Sequence, residues 1–231
     1  MSRQGPAFES SDGVAVGVHR REPDDPGRYP GLVVFPSIFG VTDELKAHAS
    51  QLADVGALVV VFDPFARSED PGGLGESDRE RAFARMKSVD FGRLDRDFRE
   101  LIAALKRDPV CNGRVVGLGI CLGGPFVFNA AADHELDGVA TWHGSRMGNV
   151  VGRAADVRCP VIMDYGDEDP IAPPEELEKV EKACGVVDDF TFRVHPGAGH
   201  GFSHTGWSGH DPKAMSAALG DLGKLLASLR D

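Results

Sequence analysis

The octet Gly117-Leu118-Gly119-Ile120-Cys121-Leu122-Gly123-Gly124 decides how the rest of this chain is read. Ahead of it, Arg114-Val115-Val116 reads as a buried strand. Behind it, Pro125-Phe126-Val127-Phe128-Asn129-Ala130-Ala131 reads as a helix with proline in its first turn, where a missing N–H is harmless. A strand turning sharply into a helix, with glycine two residues either side of a reactive side chain, is the pattern G-x-S-x-G with Cys121 in the serine position. So tight a turn drives its central residue toward disfavoured backbone angles and leaves no room for flanking side chains. It also lifts the sulfur to the top of the sheet at a helix N-terminus, where N–H groups and the helix dipole favour a thiolate. The competing reading is a buried cysteine in a glycine-rich strand-to-helix turn.

Working outward, apolar strands alternate with helices. Residues 14–20 predict a half-buried strand; Leu32-Val33-Val34-Phe35 and residues 57–62 predict strands covered on both faces. Between them Thr42 can cap a helix that starts with Asp43 and Glu44 and stops at Gly56. Residues 66–79 are loop-like, and residues 81–86 predict a helix. Leu94, Phe98, Leu101, Ile102 and Leu105 share one face of the next helix, which Asp108-Pro109 ends. Past the octet come strands at 138–142, 161–165 and 190–194 and a helix at 175–184. The last helix carries Met215, Leu219, Leu222, Leu226 and Leu229 on one face. This alternation predicts an α/β fold, a mostly parallel sheet flanked by helices on both faces, as one domain over residues 1–231.

The net charge of −11 over 231 residues disfavours nucleic acid, which needs a basic face. The four cysteines, at 111, 121, 159 and 184, have neither C-x-x-C pairing nor a histidine at zinc-finger spacing, so reduced thiols and no metal site are expected. With no signal-peptide core at the N-terminus and no run of roughly 18 apolar residues, a cytoplasmic protein without membrane contact is the expectation.

An activated nucleophile needs a base in reach and a third group to orient that base. After the strand ending at Tyr165, the acids Asp167, Glu168 and Asp169 compete for the orienting role. After the last strand, His195, His200, His204 and His210 are candidates for the base, and His200, between Gly199 and Gly201, has room to approach another loop. Developing negative charge on a carbonyl oxygen calls for backbone N–H donors. Leu122, following the nucleophile, and Ile38, in the unusually apolar loop 36–40, are the candidates. Trp142, His143, Phe83, Met86 and Trp207 are candidate pocket walls.

Phe35-Pro36-Ser37-Ile38-Phe39-Gly40, Gly119-Ile120-Cys121-Leu122-Gly123-Gly124, Gly166-Asp167-Glu168-Asp169 and Gly197-Ala198-Gly199-His200-Gly201-Phe202 together resemble the dienelactone hydrolase family, of the α/β-hydrolase fold. The resemblance runs from about residue 14 to the last helix. It implies Cys121 as nucleophile, His200 as base, Asp169 as acid, and Ile38 and Leu122 as oxyanion donors. The implied reaction is hydrolysis of a small enol-lactone or activated ester through an acyl-cysteine, without cofactor. The substrate is a small molecule, an anionic one included, and the protein a monomer or small homo-oligomer. Two departures stand out. Ser37 occupies the place of a glutamate linked to thiol activation, which leaves Cys121 to ionise directly against His200. His204 occupies the place of a carboxylate-binding arginine, while Arg79, or alternatively Arg81, is the nearest match to a second; Ser37, Arg79, Phe83 and His204 are thus the implied substrate contacts. Readings of other kinds are a thioesterase or carboxylesterase of the same fold, a non-catalytic ligand-binding protein and a thiol redox enzyme.

Overall fold

The computed structural model describes residues 3–4, 7–54 and 56–230. Its strands are β1 (Arg3–Gln4), β2 (Phe8–Glu9), β3 (Ala15–Glu22), β4 (Tyr29–Phe35), β5 (Leu58–Phe62), β6 (Cys111–Ile120), β7 (Gly138–Trp142), β8 (Val161–Gly166) and β9 (Phe190–His195). Its α-helices are α1 (Asp43–Asp54), α2 (Arg79–Lys87), α3 (Phe91–Lys106), α4 (Gly124–Ala132), α5 (Pro174–Cys184) and α6 (Pro212–Ser228). The strands form one sheet in the order β1-β3-β5-β4-β6-β7-β8-β9, with β2 also paired to β3. From β5 to β9 in that order every pairing is parallel; β3 is antiparallel to β5, as β1 and β2 are to β3. This is the expected α/β sheet with an antiparallel edge.

The central strands are buried on both faces because each face has its own helical layer. On one side α3 and α4 cover Val33, Phe35, Val60 and Phe62, and α5 extends the same core. There Phe35, Phe62 and Phe98 pack with ring centroids 4.9–5.3 Å apart, in the tilted and edge-on arrangements aromatic quadrupoles favour. On the other side α1 and α6 cover Leu32, Val34, Val59, Val61 and Leu118. The predicted stripe of α3 is buried throughout, as are Met215, Leu222 and Leu226 of α6.

Three local details differ from the sequence reading. The two-residue strands β1 and β2 were not anticipated; they exist only by pairing with β3, a tertiary effect no local pattern encodes. The pairing of β3 with β5 shifts register between Gly17 and His19, so its burial does not alternate. The helix expected at 81–86 begins at Arg79 and is preceded by a 3-10 turn, Glu76–Asp78.

Beside β4 the chain goes to β5 on one side and to β6 on the other, and the following helices α1 and α4 lie on opposite faces of the sheet. Such a switch point opens a crevice beyond the carboxyl ends of the two strands. Phe35 pairs with Gly119 in register, which brings the loop after β4 alongside Cys121.

Candidate active site

Cys121 sits at the first position after β6 with φ of +50°, a region that non-glycine residues rarely occupy. The neighbouring glycines permit that turn. A Cβ on Gly119 would lie 2.6 Å from the Gly123 carbonyl oxygen, and one on Gly123 would lie 2.2 Å from that of Phe35. The chain continues as a 3-10 turn, Cys121–Gly123, directly into α4. The thiol therefore stands half-buried at a helix N-terminus.

Two further strand ends supply its neighbours. Gly166 of β8 pairs with His195 of β9, and beyond them two loops zip together through Asp167 N–H to the His195 carbonyl (3.2 Å) and Glu168 N–H to that of Ala198 (3.0 Å). A Cβ at Gly166 would fall 1.9 Å from the Ala198 carbonyl oxygen, so the loops close only over glycine. The result brings His200 Nε2 to 3.2 Å from Cys121 Sγ and His200 Nδ1 to 2.8 Å from Asp169 Oδ2. Asp169 Oδ1 accepts from the N–H groups of Ile171 (2.8 Å) and Ala172 (3.3 Å), which fixes the carboxylate.

The other candidate acids and histidines have different partners. Asp167 is exposed and accepts from Gly197 N–H; Glu168 is exposed. His195 bonds the buried Asp164 at 2.8 Å, and His210 Nδ1 donates to the Phe202 carbonyl. His204 Nδ1 lies 3.2 Å from Glu44 Oε1, with its ring stacked on Trp207.

Burial works against a charged His200, yet its hydrogen bonds to Asp169 and Cys121, with the negative charge of both, prevail and push its pKa up to about 10. The imidazole thus keeps its proton through neutral pH. His143, at the end of β7, fills the space beside it, ring centroids 4.7 Å apart and edge to face. Complete burial, then the charges of His200 and His204, hold His143 well below the usual histidine range. A neutral ring can therefore support His200 without repelling its charge.

The loop after β4 faces the elbow, the strand-to-helix turn that carries Cys121. Ile38, Phe39, Leu74 and Ala82 form a small apolar cluster joined by Met86, Leu122 and Trp207, which gives the crevice one apolar wall. Ser37 is buried and its Oγ accepts from Phe39 N–H at 3.3 Å. Arg79 and Phe83 are exposed on α2, and Arg81 pairs with Asp70 (2.7 Å from Nε). Trp142 is buried at the end of β7 and borders the small cavity that Ser37, Glu44 and His204 also line. Among the described residues no group of three His, Cys, Asp or Glu side chains is arranged to hold a metal ion, all four cysteines are free thiols, and no helix is long and apolar enough to cross a membrane.

Two neighbours escaped the sequence reading. Ser145 N–H donates to the Cys121 carbonyl at 3.0 Å, and its Oγ lies 3.9 Å from the sulfur; only the fold brings it there. Arg85, on the α2 face that carries Ala82, is buried against loop 36–41, and its partners are main-chain carbonyls that only the fold brings to it.

The dienelactone hydrolase family model matches residues 16–229. A carboxymethylenebutenolidase of Pseudomonas putida is 26% identical over 221 residues, covering 94% of this chain and 93% of that protein. Carboxymethylenebutenolidase 2 of Cupriavidus pinatubonensis is 30% identical over 185 residues, with 76% and 74% covered. Among solved structures, a dienelactone hydrolase-like promiscuous phosphotriesterase from metagenomic libraries superposes with a TM-score of 0.81 at 22% identity, over 100% of this chain and 99% of the other. With this match in sequence and fold, the chain belongs to the dienelactone hydrolase family of hydrolases.

Proposed function

We propose that this protein hydrolyses a small lactone or activated carboxylic ester through an acyl-thioester on Cys121. The observation that carries the reading is the linear chain from Cys121 Sγ through His200 to Asp169, at 3.2 and 2.8 Å, on a residue held at φ +50°. Sulfur attacks the carbonyl carbon; the S–C bond forms as the carbonyl electron pair moves onto oxygen. The N–H groups of Ile38 and Leu122 stabilise that oxyanion, each donor being worth about 10²–10³ in kcat. As the adduct collapses, the C–O bond breaks and His200 gives its proton to the departing oxygen. Water then adds to the thioester, losing a proton to His200, and the S–C bond breaks to free the acid. Asp169 holds the imidazole in the tautomer this relay needs and stabilises its cation.

A thiolate leaves as readily as it attacks, so adducts with poor leaving groups revert. Amides should be slow, and enol-lactones or aryl esters fast. The apolar wall of Ile38, Leu74, Met86, Leu122 and Trp207 favours a small, largely apolar acyl group. The test is a panel of lactones, aryl esters, thioesters and amides with wild type and Cys121→Ala. Turnover of activated esters should vanish in the variant; ester hydrolysis that survives would overturn the assignment.

A further inference from the structure

Resting on the reading of Cys121 as nucleophile, the aim of the Ile38 N–H depends on how loop 36–41 is held. The peptide joining Ser37 to Ile38 is planar, so its N–H points opposite to its carbonyl. That carbonyl accepts from Gly40 N–H at 3.0 Å. The next peptide is pinned at both ends: Phe39 N–H donates to Ser37 Oγ at 3.3 Å, and the Ile38 carbonyl accepts from Arg85 Nη2 at 3.1 Å. Among the described residues nothing accepts from the Ile38 N–H itself.

Arg85 is an unusual residue for its place. It is 4% exposed, on the α2 face that also buries Ala82. Its Nη1 donates to the carbonyls of Asp70 (3.0 Å) and Gly72 (2.8 Å), its guanidinium lies 3.7 Å over the Phe65 ring, and its Nε is buried without a partner. Every acceptor it has is a main-chain carbonyl; the carboxylates of Asp63 and Asp70 act on it only through space. Burying a cation without a hydrogen-bonded carboxylate is costly, and an apolar side chain would complete the helix face without that cost. What the guanidinium adds is a single rigid fork joining loop 70–74 to loop 36–41, which otherwise meet through Leu74 N–H to the Phe39 carbonyl at 2.8 Å. Gly40, at φ +73°, leaves space for it: a Cβ there would sit 2.5 Å from the Gly72 carbonyl oxygen and 3.1 Å from Arg85 Nη2.

We propose that Arg85 is a positioning residue that sets the aim of the Ile38 N–H by clamping the Ile38 carbonyl. It touches neither substrate nor reacting atoms. Its loss should weaken stabilisation of a carbonyl oxyanion while leaving the sulfur as reactive as before toward chemistry that forms none.

The test compares wild type, Arg85→Met and Arg85→Lys in two reactions of Cys121. One is hydrolysis of 4-nitrophenyl acetate. The other is alkylation by iodoacetamide, in which the S–C bond forms as C–I breaks and no carbonyl oxygen gains charge. Arg85→Met should lower kcat for the ester by about 10–100-fold, less than the loss of a whole donor, with KM changed little. Alkylation should stay within about twofold of wild type, and Arg85→Lys should recover part of kcat. Ester turnover within about threefold of wild type in Arg85→Met, or ester turnover and alkylation falling together in both variants, would overturn the proposal. If Arg85→Met does not fold, Arg85→Lys is judged by the same ratio. Cys121→Ala run alongside separates the two readings: if it still hydrolyses the ester, the nucleophile assignment fails first.

Discussion

At the scale of single residues, the site's behaviour turns on where one proton resides. His200 has a pKa of about 10 against an ordinary 6.5, because two hydrogen-bonded neighbours outweigh its burial. Its Cε1 proton should titrate near pH 10 by NMR. In Cys121→Ser the midpoint should fall, because the sulfur's hydrogen bond and charge are gone while Asp169 remains. The linkage has a definite sign: the folded state binds this proton more tightly than the unfolded chain, so the stabilisation is complete below about pH 6.5 and is lost as pH rises through about 10. Urea titrations across that window should show His200→Gln with a weaker decline than wild type. Asp169→Asn removes the charge that supports the cation and disturbs the tautomer; kcat should fall by roughly 10²–10⁴-fold with KM little affected.

At the scale of elements, the elbow works because three backbones meet without side chains between them. Gly123→Ala would push a methyl to 2.2 Å from the Phe35 carbonyl oxygen, at the end of the strand that carries the Ile38 loop. Backbone cannot yield as a flexible side chain does, so we expect a loss of about 1–3 kcal/mol or more in urea denaturation, with activity lost out of proportion to it. The elbow was legible in sequence because its glycine spacing is a steric requirement. The proposed acid and base were only half legible. Their loops were clear from the strands before them; the glycines flanking His200 favoured it over His195, while Asp167, Glu168 and Asp169 stayed in competition until the family resemblance pointed to Asp169. The geometry separates them: Asp167 turns to Gly197 N–H, and His195 bonds Asp164. Arg85 was missed because its partners are carbonyls from two loops, which no side-chain pattern encodes.

At the scale of the whole molecule, the sheet holds Cys121, just after β6, and the loops after β8 and β9 two strands and more apart, with His143, just after the strand between them, packed against His200. The layer order was readable because the central strands are apolar throughout; β1 and β2 were not, since two-residue edge strands carry no period. Rigidity beneath the site comes from the aromatic cluster on one face. Phe98→Ala, which removes the ring packed against both Phe35 and Phe62, should cost about 3–5 kcal/mol in urea denaturation while changing kcat of the folded enzyme little, because Phe98 lies on α3 and touches neither Cys121 nor His200. In the proposed reaction this framework presents a thiol that becomes acylated. Mixing the protein with 4-nitrophenyl acetate, quenching in acid within the first turnover and mapping the adduct by mass spectrometry tests it directly. An acetyl group on the peptide containing Cys121, absent in Cys121→Ser at the same position, is the expected result; turnover of the ester with Cys121 never acylated would rule out the thiol as nucleophile.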